Sequence, residues 1–235
     1  MVTLELVIPL LSPGNWFVVI DLQDTYFHIS IHKRHRKYFR FVFMETAYQF
    51  CALPFGLATA PRTFTECLAP VAAYLCLHNI MVFPYIYDWL IITDSYSKAE
   101  ADTNFALQTL TDLGLQVNFT KSHLQLSQTM DYIGDCLDSN RARVFLPSER
   151  IHKLSRIIHP FHPYAKVSAH HMQHLLGLLA STTSILPHTR LKMHSLQVWY
   201  QFDPLLDNPA RHLHVTPELA SQLTWLTFMP FLLVG

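Results

Sequence analysis

The sequence lacks a net charge, a paired-cysteine motif and a long apolar run. Its 235 residues include 17 basic and 17 acidic side chains, so a nucleic-acid site would have to be a local patch. No run approaches the roughly 18 apolar residues of a membrane span. The apolar N-terminus contains Glu5 and lacks a basic segment, which argues against a signal peptide. We therefore expect an intracellular protein with no membrane partner.

The four cysteines indicate neither disulfide staples nor a compact zinc motif. They are Cys51, Cys67, Cys76 and Cys136, and none belongs to a C-x-x-C pair. A chain of this length does not need disulfides, so we interpret them as reduced thiols. A zinc site assembled from distant residues stays open.

Half of the residues are hydrophobic, which is enough for a sizeable core in one large domain or a domain with a smaller appendage. The first 145 residues mix strand and helix patterns. Strands are predicted at 16–20, on both sides of Glu45, on both sides of the turn within 83–92, and within 115–126 and 130–138. Helices are predicted at 59–79, where Pro70 should kink or divide the helix, and at 97–114.

From residue 146 the pattern becomes helical. Helices are predicted at 146–161 and 168–186, and a loop followed by a short helix is predicted within 201–226.

Acidic residues stand at the ends of two predicted strands. Asp21 ends the first strand, Asp24 follows it, and Asp88 lies at the tip of the 83–92 hairpin in apolar surroundings. Separated acids of this kind suit a divalent-metal site for phosphoryl transfer, because Mg²⁺ takes oxygen ligands and shares them with substrate phosphates. Isolated acids at strand ends also serve as turn caps, so both interpretations stay open at this point.

Five segments occur in an order that resembles one protein family. They are VVIDLQDTYFHISI, YQFCALPFGLATAPRTFT, PYIYDWLIITDS, LTDLGLQVNFTKS and YIGDCLD. Together they resemble the reverse transcriptase of a retroelement, most of all that of the DIRS-type, tyrosine-recombinase retrotransposons. The resemblance covers roughly residues 10 to 200. It implies an α+β fold, in which 1–145 form a palm of antiparallel strands backed by helices, with partial fingers, and 146–235 form a helical thumb or connection.

The resemblance also implies RNA-directed DNA polymerisation with Mg²⁺ or Mn²⁺, a primer–template and deoxynucleotides. It assigns catalysis to Asp21 and Asp88, and metal ligation to Asp21, Leu22 and Asp88. It assigns nucleotide binding to Asp24, Tyr26, Phe55, Gly56 and Lys121, and a primer grip to Tyr132, Ile133 and Gly134. Structural alternatives remain for these residues: Asp24 as a capping or salt-bridge acid, Tyr26 and Phe55 as core aromatics, and Lys121 as a solvated surface residue.

The hairpin departs from the family pattern, which has two adjacent aspartates where this chain has Tyr87 and Asp88. A neutral phenol, with an ordinary pKa near 10, is a poor Mg²⁺ ligand. Because neighbouring strand residues point to opposite faces, we expect the Asp88 carboxylate to start on the wrong side. Losing a ligand predicts a rate lower by on the order of a thousandfold.

We expect the chain to be a fragment of a retroelement polyprotein. We expect this fragment to stop before any ribonuclease H domain and to lack the fingers segments that normally precede the first catalytic strand. Three functions remain open: an active polymerase, a catalytically dead nucleic-acid-binding domain, and a relic without selected function.

Two further groups have open interpretations. His170, His171 and His174 have the helical spacing of metal ligands or of a polar helix face. The basic segment from Lys33 to Arg40 suits either template phosphates or a solvated hairpin face.

Overall fold

The computed structural model describes residues 2–186, 188–201 and 212–227. The chain divides into two compact units: Met1–Ile133 with Leu137–Arg143, and Gly134–Cys136 with Val144–Gly235. The main division lies two residues from the expected boundary at 145, and the short segment 134–136 belongs to the second unit.

The elements alternate along the first unit and become mainly helical in the second. The strands are β1 (Trp16–Asp21), β2 (Arg40–Phe43), β3 (Thr46–Gln49), β4 (Met81–Tyr85), β5 (Asp88–Thr93), β6 (His123–Ser127), β7 (Thr129–Tyr132), β8 (Asp135–Asp138), β9 (Arg143–Phe145), β10 (Lys166–Ser168) and β11 (His212–His214). The helices are α1 (Leu4–Val7), α2 (Ala60–Leu77), α3 (Tyr96–Asp112), α4 (Ser148–Ile158), α5 (Ala169–Ala180), α6 (Thr189–Gln201) and α7 (Pro217–Thr227), with short 3₁₀ helices at Ile8–Leu10, Thr25–His28 and Arg36–Phe39.

The first unit is built on a four-stranded sheet of order β4-β5-β1-β6. Its central strands, β1 and β5, are antiparallel and buried over almost their whole length. One side packs against α2 and α3: Ile20 and Trp89 lie in the same cluster as Phe64 of α2 and Leu110 of α3. The predicted α+β class with an antiparallel sheet backed by helices is therefore confirmed. β7, β8 and β9 form a separate three-stranded sheet, within which the division between the units falls.

Helix α2 runs through Pro70 as one continuous element, so of the two predicted effects of Pro70, a kink or a division, the division does not occur. Proline removes the backbone donor to the carbonyl four residues earlier. That carbonyl belongs to Glu66, which is exposed to water. Phe64 before the proline and Leu75 after it are both fully buried, so apolar packing anchors both halves.

The hairpin of β2 and β3 is confirmed where it was expected. Met44 and Glu45 form its turn, with φ angles of 45° and 59°. Two successive residues in the left-handed region match the twist of a tight β-hairpin. Both strands are exposed along their whole length.

The second unit contains α4, α5, α6 and α7 with the β10–β11 pair, around its own apolar core. The two predicted helices are confirmed as α4 and α5, although α5 ends at Ala180 rather than Leu186. The short helix expected near the end is α7, whereas residues 202–211 of the predicted loop lie outside the described residues. Among the described residues, no helix is long and apolar enough to cross a membrane. The four cysteines, which all fall in the described part, form no disulfide.

Candidate active site

Asp21 and Asp88 face each other across the two central strands. β1 and β5 are antiparallel with Asp21 directly opposite Asp88, and directly opposed side chains project from the same face of a sheet. Asp21 is 8% exposed. The Asp88 carboxyl group therefore lies close enough to Asp21 for the charge of Asp21 to act on it.

The pKa of Asp88 is raised to about 6. Burial is the largest cause, followed by the charge of Asp21 and the hydrogen bond with it, while His123 and Lys121 act in the opposite direction. Two carboxylates that share one face resist ionising together. Above about pH 6 the pair therefore concentrates negative charge at the end of β1.

The expectation that Asp88 starts on the wrong side is wrong. Alternation compares neighbours within one strand, but β5 begins at Asp88 and Tyr87 belongs to the turn before it. The pairing of β5 with β1 decides where the carboxylate lies relative to Asp21. Asp88 is thus beside Asp21 without any rearrangement of the hairpin.

Tyr87 holds the turn of the β4–β5 hairpin close to the end of β1. Its carbonyl accepts the backbone N–H of Leu22 at 2.9 Å, and the preceding Ile86 has a φ of 54°. Burial, then the charges of Asp88 and Asp21, raise the pKa of the Tyr87 phenol above its ordinary value. The phenol therefore stays protonated at neutral pH and offers a hydrogen-bond donor beside Asp21 and Asp88.

A cleft of about 590 Å³ opens in front of this turn. Its lining residues are Asp21, Leu22, Gln23, Asp24, Thr25, Phe55, Tyr87, Asn118, Thr120 and Lys121. The volume lies in the range of small-molecule sites. Asp21, Asp24 and Lys121 thus border the same space.

Asn118 and Ser122 are site residues that the motif comparison missed. The Asn118 N–H donates to the Asp21 carbonyl at 2.8 Å. The Asp21 N–H donates to the Ser122 hydroxyl at 2.9 Å, and that hydroxyl donates to the Asn118 carbonyl at 2.7 Å. This network fixes both backbone groups of Asp21 and sets the loop that carries Lys121. The signal was present in the NFTKS stretch, of which only the lysine was singled out.

Tyr26 and Phe55 form an aromatic wall beside the cleft. Their ring centroids are 4.8 Å apart, and Tyr26 also packs edge-on against Phe64 at 5.9 Å. Tyr26 is 9% exposed and Phe55 is 55% exposed. Burial, with the neighbouring Tyr87, raises the pKa of the Tyr26 phenol. Tyr26 is therefore held rigidly by the core, whereas Phe55, which also contacts the Phe27 ring at 5.2 Å, keeps more than half of its surface exposed.

Asp24 and Gly56 are both exposed and both have left-handed backbone conformations, with φ angles of 51° and 86°. Asp24 precedes a 3₁₀ helix, and its carboxylate accepts only a long 3.4 Å bond from Gln23 among the bonds of the described chain. A Cβ added to Gly56 would meet nothing within 4 Å. The glycine is thus required by its φ angle, and the space above it is open.

The segment assigned to the primer grip forms a tight turn between β7 and β8. Tyr132 is buried, and its hydroxyl donates to the Phe83 carbonyl of β4 at 2.7 Å. Ile133 and Gly134 make the turn, with φ angles of 52° and 79°. A side-chain contact from Tyr132 to a bound strand is therefore excluded in this conformation, and the turn itself is the accessible part.

The histidine set of α5 does not gather as metal ligands. His171 hydrogen-bonds the Ile157 carbonyl at 2.9 Å and packs on Phe161, while His170 and His174 are exposed. Within the described residues, no cluster of three or more His, Cys, Asp or Glu side chains could hold a metal ion.

The comparisons with known proteins agree on the family. Residues 9–136 match the family of reverse transcriptases (RNA-dependent DNA polymerases), which is more than half of the chain. The chain belongs to this family.

Relatives include the Gag-Pol polyprotein of walleye dermal sarcoma virus, 32% identical over 149 residues, which are 60% of this chain and 8% of that protein. The retrovirus-related Pol polyprotein from transposon opus of Drosophila melanogaster is 28% identical over 128 residues, 53% of this chain and 12% of that protein. The chain thus spans about a tenth of the length of these polyproteins.

Solved structures extend the likeness of the fold to nearly the whole chain. A foamy viral protease-reverse transcriptase in complex with double-stranded DNA matches 97% of this chain and 37% of its own, with a TM-score of 0.76 and 18% identity. The foamy viral enzyme in complex with an RNA/DNA hybrid matches 93% and 28%, with a TM-score of 0.70 and 19% identity. The predicted polymerase fold is confirmed by these matches.

Proposed function

We propose that this chain is the polymerase part of a retroelement reverse transcriptase of the DIRS type, with RNA-directed DNA polymerisation as its ancestral activity and a low rate in its present form. The observation that carries the proposal is the paired Asp21 and Asp88 beside a cleft that Lys121 also lines. The sequences of the LPFGLATAPRTFT and LLGLLAST segments resemble those of the DIRS group and support this assignment.

The carboxyl pair suits a divalent cation. Asp21 and Asp88 share one face of the sheet, so a cation would relieve the repulsion between their ionised forms. Mg²⁺ is commonly held by one or two carboxylates together with substrate phosphates, so these two residues, with the Leu22 carbonyl, would hold Mg²⁺ or Mn²⁺. The ion, when bound, would supply electrostatic stabilisation of the transferring phosphoryl group.

The other residues of the cleft would orient a deoxynucleoside triphosphate. Lys121 provides a positive point charge for the phosphates. The rigid Tyr26 ring would crowd a ribose 2′-hydroxyl, and the exposed face of Phe55 offers apolar area to a base. Asp24 lines the cleft. Gly56, next to Phe55, leaves open space for a ligand to approach the backbone.

Tyr87 is the reason for the low rate. Its phenol is protonated at neutral pH, so the third carboxylate of the family pattern is missing while the donor hydroxyl occupies the cleft wall. The remaining pair fits one ion better than two, which would leave the developing charge of the transition state less stabilised.

Binding of a primer–template without efficient synthesis is the second candidate. Lys33, Arg34 and Lys37 are exposed on one segment, and such groups contact phosphates without reading sequence. The protein would then bind nucleic acid as a catalytically impaired domain, and other segments of a polyprotein would be its natural neighbours.

Primer extension on a homopolymer RNA template tests the proposal. The chain and its Asp21→Asn variant are compared with Mg²⁺ and with Mn²⁺, together with the affinity for the same primer–template. Weak extension that Asp21→Asn abolishes supports the polymerase. Salt-dependent binding without extension supports the second candidate, and absence of both in a folded chain would reject the proposal.

A further inference from the structure

The turn between β7 and β8 holds an unfavourable backbone conformation that needs outside support. Ile133 has a φ of 52° and Gly134 a φ of 79°. A β-branched residue at positive φ is a genuine outlier, and such strain persists only where the surroundings over-determine it. A tight hairpin turn has positive φ at both central residues, which suits Gly134, but Ile133 does not favour it, so the local sequence explains the shape of the turn only in part.

Arg150, from the first turns of α4, supplies that support. Its Nη1 donates to the Gly134 carbonyl at 2.9 Å and to the Asp135 carboxylate. Its Nη2 donates to the carbonyl of Ser181 at 3.1 Å and to the hydroxyl of Ser181 at 2.7 Å. The planar guanidinium can make two pairs of bonds at once, which a lysine ammonium cannot reproduce. One side chain thus ties the turn to the end of a second helix.

Loss of the Arg150 guanidinium would be unfavourable for both of the side chains that it contacts. Asp135 is 2% exposed, and a buried carboxylate without its cation is strongly unfavourable. Ser181 caps the C-terminus of α5, where carbonyls lack helical partners and positive charge is favourable. Removing the guanidinium would therefore release the turn, the buried acid and the helix end together.

We infer that Arg150 and Asp135 are positioning residues, which hold the Ile133–Gly134 turn in the shape that meets the 3′ end of a bound primer. The inference deepens the proposed function and rests on it. Gly134 is exposed and would be the part of the turn that contacts a recessed primer end. A displaced turn would therefore alter that contact. A blunt duplex has no such recessed end, so its binding should not depend on the turn.

The first test uses hydrogen–deuterium exchange of the chain without nucleic acid. Arg150→Gln should raise the exchange rate of the 131–137 peptide at least tenfold, whereas Arg156→Gln, an exposed position on the same helix, should leave it unchanged. Arg150→Lys should fall between the two. Unchanged exchange in Arg150→Gln would overturn the inference, whatever the chain binds.

The second test measures the ratio of affinities for a recessed primer–template and a blunt duplex of equal length. Arg150→Gln should reduce this ratio at least fivefold, whereas Arg156→Gln should change both affinities alike. If Arg150→Gln does not fold, Ser181→Ala removes one contact and leaves Asp135 paired, and a smaller shift in the same direction is expected.

Failure of the positioning role and failure of the proposed function would give different results. Faster exchange with an unchanged ratio would overturn the positioning role and leave the proposed function standing. A wild-type chain that binds neither substrate would reject the proposed function, and the primer role with it, while the exchange result would still report on the Arg150 contact.

Discussion

Replacing Tyr87 by aspartate should restore metal-dependent synthesis. The variant would place a third carboxylate beside Asp21 and Asp88, because the turn is already held by the 2.9 Å bond from Leu22 to residue 87. Two unit charges about 5 Å apart interact by about 3 kcal/mol at an effective dielectric constant of about 20. A divalent ion doubles that attraction, while desolvation and repulsion among three acids offset part of it. A net gain of about 4 kcal/mol corresponds to about a thousandfold in rate.

The assay is primer extension with Mg²⁺, comparing the wild type with Tyr87→Asp and Tyr87→Phe. Tyr87→Phe removes the hydroxyl without adding a carboxylate, so it separates the effect of a new metal ligand from the effect of losing the phenol hydroxyl. Adding Asp21→Asn to Tyr87→Asp should abolish the gain. An equal increase in Tyr87→Phe, or no increase in a Tyr87→Asp chain that still binds primer–template, would refute the reasoning.

Three further predictions concern charge and packing. The raised pKa of Asp88 means that the folded chain binds the Asp88 proton more tightly than the unfolded chain does. The contribution of Asp88 to the free energy of unfolding should therefore fall by about 1 kcal/mol as pH rises from about 4 to 6. Denaturant titrations should show a flatter pH dependence in Asp88→Asn, and an equal pH dependence in both chains would contradict the prediction. Phe64→Ala should lower the free energy of unfolding by about 3–5 kcal/mol because the ring is fully buried, whereas Phe55→Ala should change it by less than about 1 kcal/mol and weaken nucleotide binding instead. Replacing Lys33, Arg34 and Lys37 by glutamine should reduce the slope of log affinity against log salt by up to about 3 for a duplex, and an unchanged slope would place the phosphate contacts elsewhere.

Local patterns in the sequence determined most of the elements that carry the site. The apolar run that ends in Asp21, the hairpin around Asp88 and the two helices behind the sheet all follow from periodicity and turn residues, which are properties of neighbouring positions. The family motifs are equally local, so the assignment to reverse transcriptases needed no coordinates. The tyrosine at position 87, on which the proposed low rate depends, was likewise visible in the sequence.

Only the tertiary structure decided how distant segments meet. The placement of Asp88 beside Asp21 depends on the register of two strands 67 positions apart in the chain, and strand alternation alone led to the wrong face. The Asn118 and Ser122 bonds to Asp21, the burial of Tyr132 and the four contacts of Arg150 link residues that no local pattern connects. Such contacts arise because burial leaves polar groups that must find partners wherever packing brings them, so their identity emerges with the fold itself.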